Sequence, residues 1–196
     1  MQSKRKEKRE KKFSVGDAII VGIVLIVIIG VAYVFTAPSQ SATTTVTGEA
    51  PDFTLPVVSR SGLTGQMVTL SSFRGKVVLL EFMEPWCPHC QNMAPVVETL
   101  YQQYRSENVI FLSIAGPWQG ATANDAAQFI RSYQSTWTYA YDSSNSVFTM
   151  FGVTGTPTFI LIAKNGQIAQ VYGNLTPETA ANTLAPAITR LNSSTS

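Results

Sequence analysis

Histidine is nearly missing from this chain: there is one, His89, in 196 residues. A metal centre built on several histidines is therefore excluded, and so is a Ser-His-Asp hydrolase, since no G-x-S-x-G element is present and no second histidine exists to act as base. Cysteine is almost as scarce, with two. Zinc wants about four Cys/His ligands, which these residues cannot supply. Charge is thin too: 13% of residues are Asp, Glu, Lys or Arg, against roughly 25% in ordinary soluble proteins. The formal net charge of +2 hides an asymmetry, because residues 1–17 hold seven of the 14 basic residues. The remainder is mildly acidic, and nothing in it suggests nucleic-acid binding. Hydrophobic residues make up 45% of the chain, too many for a disordered protein. The length allows one globular domain with an extra segment.

The extra segment comes first. Residues 18–37 contain no formal charge and are dominated by Ile, Val and Leu on all sides. At about 1.5 Å per residue, 20 residues of helix span roughly 30 Å, the thickness of a hydrocarbon core. Lys4, Arg5, Lys6, Lys8, Arg9, Lys11 and Lys12 precede it, which predicts a cytoplasmic N-terminus and an extracytoplasmic remainder. A cleaved signal peptide is the alternative, but the apolar run is long for one and no clean A-x-A site follows. The reading adopted is a single-pass, uncleaved anchor in the cell membrane. Residues 38–50 (PSQSATTTVTGEA) form a small, polar linker.

Residues 51–192 suffice for one hydrophobic core. Short strands are expected at 51–55 and 68–70, joined by a loop marked by Gly62 and Gly65. Continuous apolar runs predict buried strands at 77–83 (VVLLEFM), 109–114 and 158–163, and a fourth strand is expected at 167–172 after a Lys164-Asn165-Gly166 turn. Helical spacing predicts helices at 88–104, 125–134 and 144–151, and a last helix after Thr176. Pro95 is expected to kink the first, and Pro186 to bend or break the last. The expected fold is an α/β domain with a mixed central sheet flanked by helices, an N-terminal β-hairpin extension, and one transmembrane helix before it.

The chemistry centres on Trp86-Cys87-Pro88-His89-Cys90. At i, i+3 on a helix start, the two sulfurs lie within bonding distance, yet the loop they close is too small to add much stability. Reactivity explains the pair better. A thiolate at Cys87 would receive backbone N–H bonds and the positive helix end. His89 would add positive charge or a donor nearby, and Pro88 would stiffen the turn. Glu81 is the one charge in its strand, and burial would raise its pKa. The alternative turns it toward solvent or pairs it with a base such as Lys76. Glu84 is expected to be exposed, and Trp86 to pack beside the pair.

With these residues in place, the chain resembles the thioredoxin superfamily, and more closely its membrane-anchored TlpA/ResA-like branch. The likeness covers about residues 50–192 and rests on APDFTL at 50–55, LSSFRGKVVLLEFMEPWCPHC at 70–90 and GVTGTPTFILIAKNG at 152–166. The resemblance implies a thiol-disulfide oxidoreductase in which Cys87 attacks the partner and Cys90 resolves the mixed disulfide. It implies a cis-proline at Pro157, with Thr156 offering backbone bonds to an extended partner, and it gives Glu81 the offset of a buried acid that shuttles a proton for Cys90. No cofactor and no metal are implied, only exported or membrane protein thiols as partners and an external redox partner to reset the pair. The Pro88-His89 dipeptide is typical of DsbA-like oxidases, whereas TlpA/ResA proteins include many reductases. The dipeptide tips the expectation slightly toward an oxidase or isomerase, with a reductase as the alternative. A tethered, non-catalytic binding or assembly module is the reading from another class. Peroxiredoxins also open with APDFTL, but Glu84 and Leu80 stand where they carry Thr or Ser and Pro. Asn174 and Asn192 begin glycosylation sequons.

Overall fold

The computed structural model describes residues 48–194. The expected anchor at 18–37, the basic tail before it and nearly all of the linker lie outside the described residues. Among the described residues, no helix is long and apolar enough to cross a membrane.

Seven strands form one mixed sheet, β1 (Thr54–Ser59), β2 (Gly62–Thr69), β3 (Val77–Met83), β4 (Val109–Ala115), β5 (Thr138–Tyr141), β6 (Thr158–Ile162) and β7 (Ile168–Gly173). Their order across the sheet is β2-β1-β5-β4-β3-β6-β7. The α-helices among the described residues are α1 (Pro88–Tyr104), α2 (Ala123–Ser132), α3 (Ser146–Met150) and α4 (Pro177–Ser193). β3 runs parallel to β4 and antiparallel to β6, and β4 runs parallel to β5.

All seven residues of β3 are buried, which is why its sequence shows no alternation. Val77, Leu79 and Met83 pack on one face with residues of α1 and α4; Val78, Leu80 and Phe82 pack on the other with Phe53, Phe148 and Leu112. Each such side chain contributes about 1.5–3 kcal/mol on burial. Glu81 belongs, by alternation, to the α1 face.

The N-terminal hairpin differs from expectation. Its turn lies at Arg60 and Ser61, while Gly62 and Gly65 sit inside β2 with φ of 107° and 77°. The register passes from Pro56↔Met67 to Val58↔Leu63, so Val57 faces three residues of β2. The glycines serve this bulge rather than a loop.

β5 was not expected at all. Its four residues are too short for a periodic signal, and pairing on both sides, with β4 and β1, makes it a strand. Neither internal proline ends its helix. α1 continues through Pro95 and α4 through Pro186. In each, the helix segment around the proline is anchored by buried neighbours: Met93, Ala94 and Val97 in α1, and Leu184, Ala187 and Ile188 in α4. That packing offsets the missing hydrogen bond.

The other helix ends follow their caps. Thr122 and Asp125 close a capping box that starts α2 two residues earlier than expected. The Asp142 carboxylate accepts the backbone N–H groups of Ser146, Val147 and Phe148, which starts α3.

Candidate active site

β3 ends at Met83, and the chain then runs through Glu84, Pro85 and Trp86 to Cys87, the N-cap of α1. Pro88 takes the first helical position, where a missing N–H costs nothing. The Cys87 N–H donates to the Glu84 carbonyl at 3.0 Å. Cys87 is 4% exposed and Cys90 fully buried. Across the site, the Cys87 thiol donates to the Thr156 carbonyl at 3.4 Å, and the Thr156–Pro157 peptide is cis. A residue pair 69 positions apart thus meets at the sulfur.

The two thiols are held in different states. Burial pushes the Cys87 thiol up. Hydrogen bonds from the Thr156 side chain, the Cys90 backbone and thiol, and the His89 backbone outweigh it, so the pKa falls below the ordinary thiol value. For Cys90, burial pushes it far above that value, and the charge of Glu81 adds to the effect. The two sulfurs thus differ, Cys87 shifted toward the thiolate and Cys90 toward the thiol.

Glu81 is 4% exposed, buried on the sheet rather than turned to solvent or paired with Lys76. Burial raises its pKa to about 7 against an opposing hydrogen bond from Ser113, whose hydroxyl donates to Oε2. Ser113 in turn accepts the indole N–H of Trp137 at 2.7 Å.

Glu84 corrects the expectation of an exposed side chain: it is fully buried. Its Oε1 accepts the Trp118 backbone N–H at 3.1 Å, and Oε2 has no partner. Burial again raises the pKa to about 7, against the opposing bond from the Trp118 backbone. Space for this carboxyl exists because residue 116 is glycine; a Cβ there would lie 2.3 Å from Oε1 and 2.8 Å from the Phe148 ring.

Two clefts are lined by residues neighbouring Cys87 in the chain. One, of about 340 Å³, is lined by His89, Thr154, Thr156, Pro157 and Asn174 among others. The other, of about 430 Å³, lies beside Trp86, with Gln91, Gln119, Phe129 and Tyr133. Trp86 stands 40% exposed rather than closed over the pair, its indole N–H donating to the Trp118 carbonyl at 3.0 Å. His89 and Pro88 are exposed, and His89 acts on Cys87 through its backbone. Among the described residues, no group of three or more His, Cys, Asp or Glu is placed to hold a metal ion.

Ser113, Trp137 and Gly116 escaped sequence reasoning, and so did the burial of Glu84. Ser113 carried a signal, being the one polar residue in the strand VIFLSIA. Trp137 carried none, because it precedes a strand that only tertiary pairing creates.

The chain matches the Redoxin family model over residues 45–185. It is 30% identical over 133 residues to thiol-disulfide oxidoreductase ResA of Bacillus thuringiensis subsp. konkukian, covering 66% of this chain and 71% of that relative. The ResA of Geobacillus kaustophilus is 28% identical over 172 residues, covering 87% and 93%. A crystal structure assigned as thiol:disulfide interchange protein DsbE from Chlorobium tepidum superposes with a TM-score of 0.65 at 26% identity, over 74% of this chain and 96% of that one. With the fold, the cysteine pair and the cis-proline on one side and these relatives on the other, the chain belongs to the Redoxin family, with a thioredoxin-like fold, and is a protein thiol-disulfide oxidoreductase.

Proposed function

We propose that the protein is a membrane-tethered reductase of disulfides in exported or membrane proteins, acting through Cys87 and Cys90. The observation that carries the direction is the placement of His89. The preference for oxidation rested on the Pro88-His89 dipeptide, with His89 adding charge or a donor beside Cys87; the side chain is exposed, and residue 89 supports the thiolate through its backbone. Water screens an exposed His89 side chain from the sulfur, so it stabilises the reduced pair less than a buried one would, and the potential moves toward the reducing end. The names of the ResA relatives fit a thiol-disulfide exchange of this kind. The oxidase or isomerase reading retains one feature, the Pro88-His89 dipeptide itself.

In the reducing direction, the Cys87 thiolate attacks one sulfur of a partner disulfide, and the other partner sulfur leaves as a thiolate. The partner chain lies extended beside Pro157, bonded to the Thr156 backbone. Cys90 then gives its proton to Glu81, through water, and attacks the Cys87 sulfur. The second partner sulfur leaves, and a Cys87–Cys90 disulfide remains. Two electrons have passed from the dithiol to the partner. Glu81 suits this step because a buried carboxylate and a buried thiolate repel, so one proton serves both. A separate dithiol donor, in the membrane or outside it, returns the two electrons and restores the pair.

The residue 18–37 segment would hold the domain at the outer membrane face, with residues 1–17 in the cytoplasm. A membrane-impermeant maleimide should then label Cys87 in intact cells. The deciding experiment for direction is the reduction potential of the pair, equilibrated against redox buffers. A value near about −270 mV supports the reductase, and one between about −180 and −120 mV restores the oxidase or isomerase.

A further inference from the structure

We propose that Ser113 and Trp137 are positioning residues for the exchange reaction: the indole of Trp137 locks the Ser113 hydroxyl so that its proton points at Glu81, keeping that carboxyl a usable proton acceptor beneath Cys90. The inference rests on the reading of Glu81 as the group that takes the Cys90 proton.

The argument begins with the register of three strands. Glu81 of β3 pairs with Ser113 of β4, and Ser113 pairs with Tyr139 of β5. Residues directly opposite in neighbouring strands share a face of the sheet, so Glu81, Ser113 and Tyr139 form a row across it. Trp137 comes just before β5, and its Nε1 reaches Ser113 Oγ at 2.7 Å. All four side chains are buried.

The direction of each hydrogen bond follows from what each group can do. An indole N–H only donates. It therefore occupies an acceptor site of Ser113 Oγ and leaves the hydroxyl proton for another acceptor. Glu81 Oε2 is that acceptor. A hydroxyl free of Trp137 would have both lone pairs open to a neutral Glu81, whereas the indole takes one of them and restricts the rotation. With Trp137 in place, the site favours the carboxylate.

This bias matters because the surroundings oppose charge. The titratable groups that face Glu81 are Cys90 from α1 and Tyr139 from β5, and each is held protonated by burial first and then by the charge of Glu81. Tyr139 itself donates elsewhere, to Ser135 Oγ at 3.0 Å. Among the described residues no cation pairs with Glu81; the Ser113 hydroxyl is what lowers its pKa against desolvation. Without it, Glu81 would hold its proton too tightly to accept another from Cys90.

The test uses the full chain in detergent, reduced, with the Glu side chains carrying ¹³C-carboxyl labels. The Glu81 resonance, assigned by its loss in Glu81→Gln, is followed against pH. Removing a hydrogen bond to a charged group is worth about a tenfold change in equilibrium, so Ser113→Ala should move the Glu81 midpoint up by about one pH unit. Trp137→Phe should move it in the same direction by less, since the hydroxyl remains but is no longer locked. Ser113→Thr, which keeps the hydroxyl, should restore the wild-type midpoint. Resolution of a pre-formed mixed disulfide at neutral pH should slow up to about tenfold in Ser113→Ala and recover in Ser113→Thr. A Glu81 midpoint that stays put in both folded Ser113→Ala and folded Trp137→Phe overturns the proposal. If the midpoint moves but Glu81→Gln resolves mixed disulfides at the wild-type rate at every pH, the positioning stands, and what fails is the proton-accepting role of Glu81.

Discussion

Two buried carboxyls beside one active site should make the protein less stable as pH rises through neutrality. Glu81 and Glu84 are each raised from an ordinary value of 4.5 to about 7, chiefly by burial. Between those values the native state holds a proton on each group that the unfolded chain has already lost. The native state therefore binds more protons, and unfolding free energy falls with pH. Each group contributes stability that is complete below about pH 4.5 and declines until about pH 7. A gap of about 2.5 units corresponds to about 3 kcal/mol per carboxyl, and both groups are at most 4% exposed, so solvent screening removes little of it. Together they would amount to about 6 kcal/mol, a large part of the 5–15 kcal/mol typical of a domain. The assay is urea unfolding of reduced protein lacking residues 1–41, at intervals from pH 4.5 to 7.5. The midpoint should fall steadily across that window. A Glu81→Gln/Glu84→Gln double variant should flatten the profile, since an amide does not titrate. A wild-type profile that is flat or rising would refute the reasoning, because it would mean both carboxyls ionise in the native state as easily as in the unfolded one.

Three further outcomes follow from the site. Alkylation of the reduced protein should modify Cys87 with a pH midpoint below that of a free thiol, while Cys90 stays unmodified throughout the neutral range; mass spectrometry after timed iodoacetamide exposure measures both. Cys90→Ser should accumulate mixed disulfides with partner proteins through Cys87 on non-reducing gels, and Cys87→Ser should accumulate none. Gly116→Ala should destabilise by about 2–5 kcal/mol in denaturant titrations, combining overpacking against Phe148 with loss of the Trp118 bond to Glu84. It should also raise KM for protein disulfides more than it changes reactivity with a small thiol, because Trp86 hangs on Trp118.

What could be read along the chain was whatever repeats or condenses locally. The buried strands at β3, β4 and β6 were legible because a strand covered on both faces is continuously apolar. The start of α1 was legible because Pro88 at the first helical position and two cysteines three apart announce a reactive turn. Thr176 and Pro177 marked the last helix for the same local reason. Glu81 stood out as a single charge in an apolar run, and packing decided for burial over an outward turn or a pair with Lys76. Pro157 was found only by likeness to the family, since sequence around a proline rarely reveals a cis bond.

Tertiary structure decided the rest. β5 exists because β1 and β4 offer it partners, so four residues with no periodic signal close the sheet and bring Trp137 and Tyr139 to the acid. Pro95 and Pro186 leave their helices unbroken because neighbouring side chains are buried around them. Glu84, one residue beyond its strand, could face either way on local grounds; a glycine 32 positions later made the room that buried it. The sequence by itself determined the long apolar strands, the capped helices and the place of the cysteine pair at a helix start. Only the packed sheet decided which groups hold protons beneath those sulfurs, because proton affinity depends on burial and on neighbours that lie far apart in the chain.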